Sequence, residues 1–437
     1  MNPTSKKLSV ISLCLLSGLF TYGQINWTKY PDNPVITKGP ATWDIIAIGQ
    51  PTVLFENDTI KMWYVGVGND YKARICYATS FDGIEWTKHS EPVIDVGNEG
   101  DWDSGWLDTP EIVKDNEGYC LYFYGDTAQQ SPEISSAIGV AYSTDGIKWE
   151  KEETNPIFTM GSEGEWDASW VESPAAYYDN GTDEYIMWYN GVNTDTWKVL
   201  IGLAISSNGI SWDRYPDNPL LNNGIPGSYD DMWLGTPAVI FEDGKFQMWY
   251  SATSSTNYNV VTSSFDIIEI CYASSANGID WEKHEDNPLF STTTEPYNES
   301  LDSGGPWAPD VIFNSNTQKY MMWFETEGGF LLATAPKEPT SINNNNSDIN
   351  TEIFPNPFSE TTSIKFMLKK ESHIQIDLLD ITGKQIMKLT DTFYPHGEHS
   401  VIWDGTDSNG QKLSAGLYIC RLRTGTFQNT IEISYLP

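Results

Sequence analysis

The heptad Ser80-Phe81-Asp82-Gly83-Ile84-Glu85-Trp86 sets an Asp-Gly turn against apolar and aromatic neighbours, and the chain repeats it. Close variants run from Ser143 to Trp149 and from Ser206 to Trp212, and again at Asn277-Gly278-Ile279-Asp280-Trp281. Asp-Gly and Asn-Gly between β-rich runs are hairpin signals, because both residues tolerate positive φ. A second marker is Met-Trp-Tyr or its equivalent, with Trp63, Phe123, Trp188, Trp249 and Trp323 in corresponding places. A third is Asn-Pro or Glu-Pro before two apolar residues, at Pro34, Pro92, Pro156, Pro219 and Pro288. Each repeat of about sixty residues holds four short aromatic and β-branched runs, which is the signature of a β-propeller. The last repeat lacks its fourth run. Ile25-Asn26-Trp27-Thr28-Lys29 supplies that sequence from the other end. The expectation is an all-β chain: a five-bladed β-propeller over residues 24–337, closed by its N-terminal strand, which hides an exposed edge.

Composition narrows the function. The 437 residues carry 60 acidic and 25 basic side chains, a formal charge of −35. Residues 351–437 hold 10 acids and 8 bases, leaving 50 and 17 for the rest. Such a field repels nucleic acid and anionic membranes, so neither is expected as a partner. The only arginines before residue 351 are Arg74 and Arg214. Phosphate and carboxylate ligands are usually gripped by bidentate Arg, so a neutral substrate is expected.

At the N-terminus, Lys6 and Lys7 precede an apolar run from Leu8 to Phe20 and the small-residue site Thr21-Tyr22-Gly23. Residues 1–23 therefore read as an export signal, too short for a membrane span. Cys76, Cys120, Cys271 and Cys420 remain beyond it and show no Cys-x-x-Cys spacing, so no zinc site is expected. Cys76 and Cys271, both in Ile-Cys-Tyr-Ala, read as small buried residues. Residues 338–350, with Asn343 to Asn346, read as a linker. Residues 351–437 open with Ile353-Phe354-Pro355-Asn356-Pro357-Phe358 and continue with Asp380-Ile381-Thr382-Gly383-Lys384, Trp403-Asp404-Gly405 and Ala415-Gly416-Leu417-Tyr418. This segment resembles the C-terminal sorting domain of the type IX secretion system. The resemblance implies a small β-sandwich, the secretion machinery as a partner, and a secreted or cell-surface location.

The repeat also sorts structural from functional residues. Aligned on Pro51, Pro110, Pro174, Pro237 and Pro309, an Asp stands seven residues earlier in every case: Asp44, Asp103, Asp167, Asp230 and Asp302. A residue present in every repeat is most simply a turn or capping device. Trp106, Trp170 and Trp233 stand four residues before the Pro, as blade packing or as sugar-stacking platforms. Two residues before the Pro the symmetry breaks, to Gly49, Asp108, Glu172, Gly235 and Trp307. The loops after the Met-Trp-Tyr strands add Asp126, Asn190 and Glu325, and the position after the Pro adds Glu111 and Asp310. All are expected at one mouth of the channel. Paired carboxylates suit glycosidic cleavage: one, protonated, serves the leaving oxygen, and the other activates water or attacks the anomeric carbon.

Glu172-Ser173-Pro174 in the third blade resembles the arabinanase, β-xylosidase and invertase superfamily, glycoside hydrolase families 43 and 32. The resemblance implies Glu172 as general acid and Asp108 as its modulator. That family's first-blade Asp directly precedes Pro, where this chain has Gln50 after Gly49, leaving Asp44 nearby; Asp44, or another mouth carboxylate such as Asp310, is the expected base. Trp106, Trp170, Trp233, Trp307, Asp310, Glu111, Asn190 and Glu325 are the expected substrate contacts. The expected activity is hydrolysis of a neutral glycan by a monomeric enzyme without cofactor or metal. The alternatives are a non-catalytic carbohydrate-binding propeller and a glycoside phosphorylase, the latter disfavoured by the shortage of Arg. Sialidases share the Ser-x-Asp-Gly turn but need three arginines. His89 and His284 occupy matching Trp-x-Lys-His repeat positions and build no triad.

Overall fold

The computed structural model describes residues 26–127, 136–259, 264–265, 267–291, 305–337, 349–368, 371–379, 384–424 and 427–436. The expected export signal at 1–23, Asp302 and most of the linker lie outside the described residues. Packing divides the chain into two units, residues 25–337 and 338–437.

The first unit is all β apart from one short 3-10 turn, Ser255–Asn257, among the described residues, and its arrangement is propeller-like. Ala47–Glu56, Thr59–Val67, Ala73–Ser80 and Thr87–Lys88 pair antiparallel in sequence order. The same order recurs in Trp106–Lys114, Tyr119–Asp126, Ala137–Ser143 and Glu150–Lys151. It recurs in Trp170–Asp179, Glu184–Asn193, Lys198–Ser206 and Asp213–Arg214. Trp233–Glu242, Lys245–Thr253, Glu269–Ser275 and Glu282–Lys283 repeat it once more. In the last repeat Trp307–Asn314, Lys319–Thr326 and Gly329–Pro336 pair likewise, and the fourth place is taken by Thr28–Lys29, opposite Thr334 and Ala333.

Each sequence marker has a physical cause. In the turns, Ser80 Oγ accepts from Gly83 N at 2.8 Å, and Asp82 Oδ1 accepts from Ile84 N at 2.8 Å and Glu85 N at 2.9 Å. Gly83, Gly146, Gly209 and Gly278 take φ between 71° and 79°, which only Gly adopts freely. Their carbonyls then join neighbouring repeats: Trp63 Nε1 donates to Gly146 O and Trp188 Nε1 to Gly278 O, each at 2.8 Å, and Trp323 Nε1 to Gly83 O at 3.1 Å. Trp249 faces the repeat whose fourth strand comes from the N-terminus and has no such turn. Its buried Nε1 has no acceptor, and Trp27 packs edge-on against its ring at 6.0 Å. The Asn-Pro marker is a strand mimic. Asn155 Oδ1 accepts from Val140 N and its Nδ2 donates to Val140 O, both at 2.9 Å; Asn218 does the same to Leu203, Asn287 to Tyr272 and Asn33 to Leu332.

The second unit folds as two antiparallel sheets. One orders Ile349–Phe354, Thr362–Leu368 and Gly397–Trp403; the other orders Gln385–Tyr394, Ser372–Leu379, Gly416–Thr424 and Phe427–Tyr435. Phe366, Leu378, Trp403 and Tyr435 belong to a shared buried core, as a sandwich requires. All four described cysteines are buried and unbridged.

Candidate active site

The site is organised by a break in every first strand. Gln50, Thr109, Ser173, Thr236 and Ala308, each directly before the aligned Pro, have φ between 42° and 50°. Non-Gly residues rarely adopt that conformation. The register slips at the same points, between Gly49 and Thr52, Asp108 and Glu111, Glu172 and Ala175, Gly235 and Ala238, and Trp307 and Asp310. Bulges of this kind re-aim side chains. They divide the predicted residues into two groups, which the sequence reading had placed together.

The first group lies before the bulge. Glu172 accepts from Trp170 Nε1 at 2.9 Å, and Asp108 accepts from Trp106 Nε1 at 2.9 Å and from Thr109 N at 2.8 Å. Glu325 accepts from Gln50 N at 2.9 Å. All three residues are partly exposed, while their carboxyl groups are the buried part. Burial, reinforced by the charge of Asp108, pushes Glu172 up to about 7. Burial first, then Asp108 again, pushes Glu325 up to about 8. Asp108 is itself raised by burial, against which its two N–H donors favour the charged form. One negative charge therefore acts on two carboxyls from two other repeats, and no Lys or Arg contributes to any of the three shifts.

Glu325 compensates for an absence. A Cβ atom at Gly49 would stand 2.5 Å from Glu325 Oε2, so the last repeat fills the place where the first has no side chain. At Gly235 the corresponding space is met by Asn190 Nδ2 and Trp233 Nε1, each at 2.9 Å. Asn190 is buried opposite Glu172 in the strand pairing, and its amide favours the Glu172 carboxylate without a hydrogen bond of ordinary geometry. Tyr124, opposite Asp108, donates to Asp126 at 2.6 Å and stacks on Trp170 with ring centroids 5.7 Å apart.

The second group lies beyond the bulge. Glu111 accepts from Ala176 N at 3.1 Å and Asp310 from Val53 N at 2.5 Å, each tying two repeats together. Both line a cavity of about 30 Å³ at the ring of prolines and a larger one of about 340 Å³ beyond it, neither of which is lined by Asp108, Glu172 or Glu325. Burial raises both groups, and the Asp310 charge adds to the rise at Glu111. Glu111 and Asp310 therefore line the channel and are not placed with the mouth carboxylates.

Asp44 also departs from expectation. It is fully buried and paired with Lys88 Nζ at 2.6 Å. Asp103 pairs with Lys151 at 2.5 Å, Asp167 with Arg214 at 2.7 Å and Asp230 with Lys283 at 2.5 Å in the same way. Asp44 is thus one of a repeated set of structural ion pairs and not a backbone cap, and its carboxylate is already paired with Lys88, which does not suit a base. The tryptophans are engaged as well. Trp106 and Trp170 hold carboxylates, while Trp233 and Trp307 pack on each other at 4.6 Å. Each of the four stays partly exposed. Nothing in the composition pointed to Gln50 N or the positive φ before Pro; the recurring X-Pro after an asymmetric position was the available signal.

The profile of the family described as β-1,4-mannooligosaccharide phosphorylase matches residues 47–266. That of the FlgD Ig-like domain matches residues 356–426. An uncharacterized protein of Mycobacterium tuberculosis is 28% identical over 225 residues, covering 51% of this chain and 69% of its own. A 1,2-β-oligomannan phosphorylase of Thermoanaerobacter is 25% identical over 248 residues, 54% of this chain and 75% of its own. A solved structure presented with the statement that the mannoside phosphorylase family 130 contains hydrolases of β-1,2-mannosidic linkages in Candida mannan superposes with a TM-score of 0.56. It is 18% identical and covers 74% of this chain and 97% of its own, which shows the fold alone.

Proposed function

Because this chain belongs to the β-1,4-mannooligosaccharide phosphorylase family, we propose that it cleaves β-mannosidic bonds in neutral oligosaccharides, at the mouth of a five-bladed propeller closed by its N-terminal strand. The family is that of the mannoside phosphorylases and not families 43 and 32, which the short Glu-Ser-Pro motif suggested. The carrying observation is the set Asp108, Glu172 and Glu325 gathered before the bulges, held by Trp106, Trp170 and Gln50 N, in which burial first and then the Asp108 charge raise the other two. Glu172 supplies the proton to the leaving oxygen. Asp108, favoured in its charged form by Trp106 Nε1 and Thr109 N, keeps that proton on Glu172. Glu325 takes over from Asp44 as the second carboxyl, activating the attacking oxygen when ionised.

Two acceptors for the mannosyl group are open. Water is supported by the electrostatics: among the described residues no Lys or Arg contributes to the shifts of the three carboxyls, so a phosphate dianion beside them meets their negative charge. Phosphate is supported by the family description and by the Thermoanaerobacter relative. Hydrolysis is the reading adopted. Incubating the protein with β-1,2- and β-1,4-mannooligosaccharides, with and without inorganic phosphate, decides it: free mannose in both conditions supports hydrolysis, and mannose 1-phosphate formed only with phosphate supports phosphorolysis. A binding-only propeller would release neither. We further propose export, directed by residues 1–23 and the C-terminal unit; deletion of residues 338–437 would then keep the protein inside the cell.

A further inference from the structure

Two exposed aromatic side chains face no protein partner. Trp197 is 68% exposed and Tyr71 is 72% exposed. Neither ring touches another ring, and neither polar tip is hydrogen-bonded. Both stand at the same place in their repeats, in the turn before the third strand and followed by Lys, Lys72 after Tyr71 and Lys198 after Trp197. Both take positive φ, 57° at Tyr71 and 53° at Trp197. A bulky residue held in that region is strained, and such strain persists only where the surroundings enforce it.

The surroundings do enforce it. Trp197 N and Thr196 N donate to Asn193 O at 3.0 and 3.1 Å, and Asp195 N donates to Asn193 Oδ1 at 2.9 Å. Asn193 Nδ2 and Thr194 N then tie the turn to Glu165 O at 2.8 Å and Ser169 Oγ at 3.1 Å, on the segment that leads into Trp170 and Glu172. The Tyr71 turn is tied in the same way, with Asn69 N donating to Thr42 O at 3.1 Å. Both turns lie at the mouth end of their strands. Asn190 pairs with Glu172 and Asn193 with Lys198, so Lys198 stands three residues further along, about 10 Å at strand rise, and Trp197 is the next residue beyond it. The first and third repeats flank the second, which carries Asp108.

We infer that Trp197 and Tyr71 form outer sugar-binding subsites, each stacking on a pyranose ring of a neutral β-linked oligosaccharide that extends beyond the cleavage point. Aromatic rings joined to rigid turns bind apolar sugar faces at little entropic cost. Charge agrees with this ligand, because anionic chains would be repelled by the acidic surface. The inference rests on the glycan-active reading and extends it to chain length.

The test is titration calorimetry with mannobiose and mannohexaose, both β-linked, on the full chain, Trp197→Ala, Tyr71→Ala, Trp197→Phe and Phe81→Ala. Phe81 is 83% exposed at the opposite ends of the strands and controls for general stickiness. Mannohexaose affinity should fall about tenfold in each alanine variant at the two turns, and more than mannobiose affinity does. Trp197→Phe should retain most of it and Phe81→Ala all of it. Unchanged mannohexaose affinity in Trp197→Ala and Tyr71→Ala overturns the inference, and turnover lost in Glu172→Gln would leave the functional reading standing. Aromatic-dependent binding without turnover in the unmodified chain would do the reverse. Absence of binding at either length overturns both.

Discussion

Gly49 and Glu325 share one place in the fold: a Cβ atom on the glycine would stand 2.5 Å from the glutamate's Oε2 and 3.0 Å from its carboxyl carbon. The carboxylate is held there by Gln50 N, the next residue of the same strand. A site that lacks a side chain in the first repeat thus receives one from the last, and a side chain at position 49 would require the Glu325 carboxyl to shift.

Gly49→Ala should displace the Glu325 carboxyl, because carbon and oxygen cannot share that separation. The expected cost is roughly 1–3 kcal/mol of stability, typical of overpacking. Turnover should fall by more than tenfold, close to that of Glu325→Gln. Kinetics and thermal unfolding of the two single variants and the double variant check this. Additive losses in the double variant would show that the two residues act apart.

Turnover should be bell-shaped in pH. Glu172 is raised to about 7 and Glu325 to about 8, and the two values belong to the interacting set. The acid must hold its proton and the base must lose it; because Glu325 holds its proton more tightly than Glu172, the reactive form is the minor singly protonated one, and activity peaks between about 7 and about 8 and falls on either side. Glu325→Gln should abolish the acid limb in whatever activity remains. A flat profile from pH 5 to 9 would remove the carboxyl set from the mechanism.

Stability carries the same signature with a definite sign. Folding raises the Glu325 pKa from 4.5 to about 8, so the folded state binds the extra proton between those values. Its contribution is therefore complete below pH 4.5 and is lost as pH rises through about 8. Glu325→Gln keeps the acceptor for Gln50 N and removes the titration. It should be more stable than the unmodified chain by roughly 1–3 kcal/mol at pH 8.5, with the gain vanishing near pH 4.5. Denaturant midpoints at the two pH values test this.

Asp44→Ala should behave as a structural variant. It strands Lys88, whose side chain is 23% exposed, beside a vacated pocket. Loss of one partner from such a pair costs roughly 2–4 kcal/mol, reduced here by the access of Lys88 to water. Asp103→Ala and Asp230→Ala should cost similar amounts, and kcat measured below the unfolding transition should be unchanged in all of them. A large fall in kcat confined to Asp44→Ala would return it to the reaction.

Much of the fold was legible because repetition is a one-dimensional signal. The Asp-Gly turns, the Met-Trp-Tyr strands and the displaced Trp27 segment each announced a strand or a partner before any coordinate was known, and the pairing of Thr28–Lys29 with Gly329–Pro336 follows their logic. The site was only half legible. Breaks in the repeat singled out Asp108, Glu172 and Glu325, but the bulge before each proline is a backbone event that no side chain reports. It separated Glu111 and Asp310 from them. Asp44 misled through proximity in sequence, since its partner Lys88 lies 44 residues away and carries no local sign of the pairing. The shortage of Arg, which argues for a neutral substrate and against phosphate as the acceptor, says nothing about the family, whose profile is that of phosphorylases.

The most direct measurement is sugar release from β-mannooligosaccharides by the unmodified chain and by Glu172→Gln, each with and without inorganic phosphate. The account predicts free mannose from the unmodified chain in both conditions and a loss of at least a hundredfold in Glu172→Gln, the scale of one general acid. Equal release by both proteins, or release of mannose 1-phosphate alone, would contradict it.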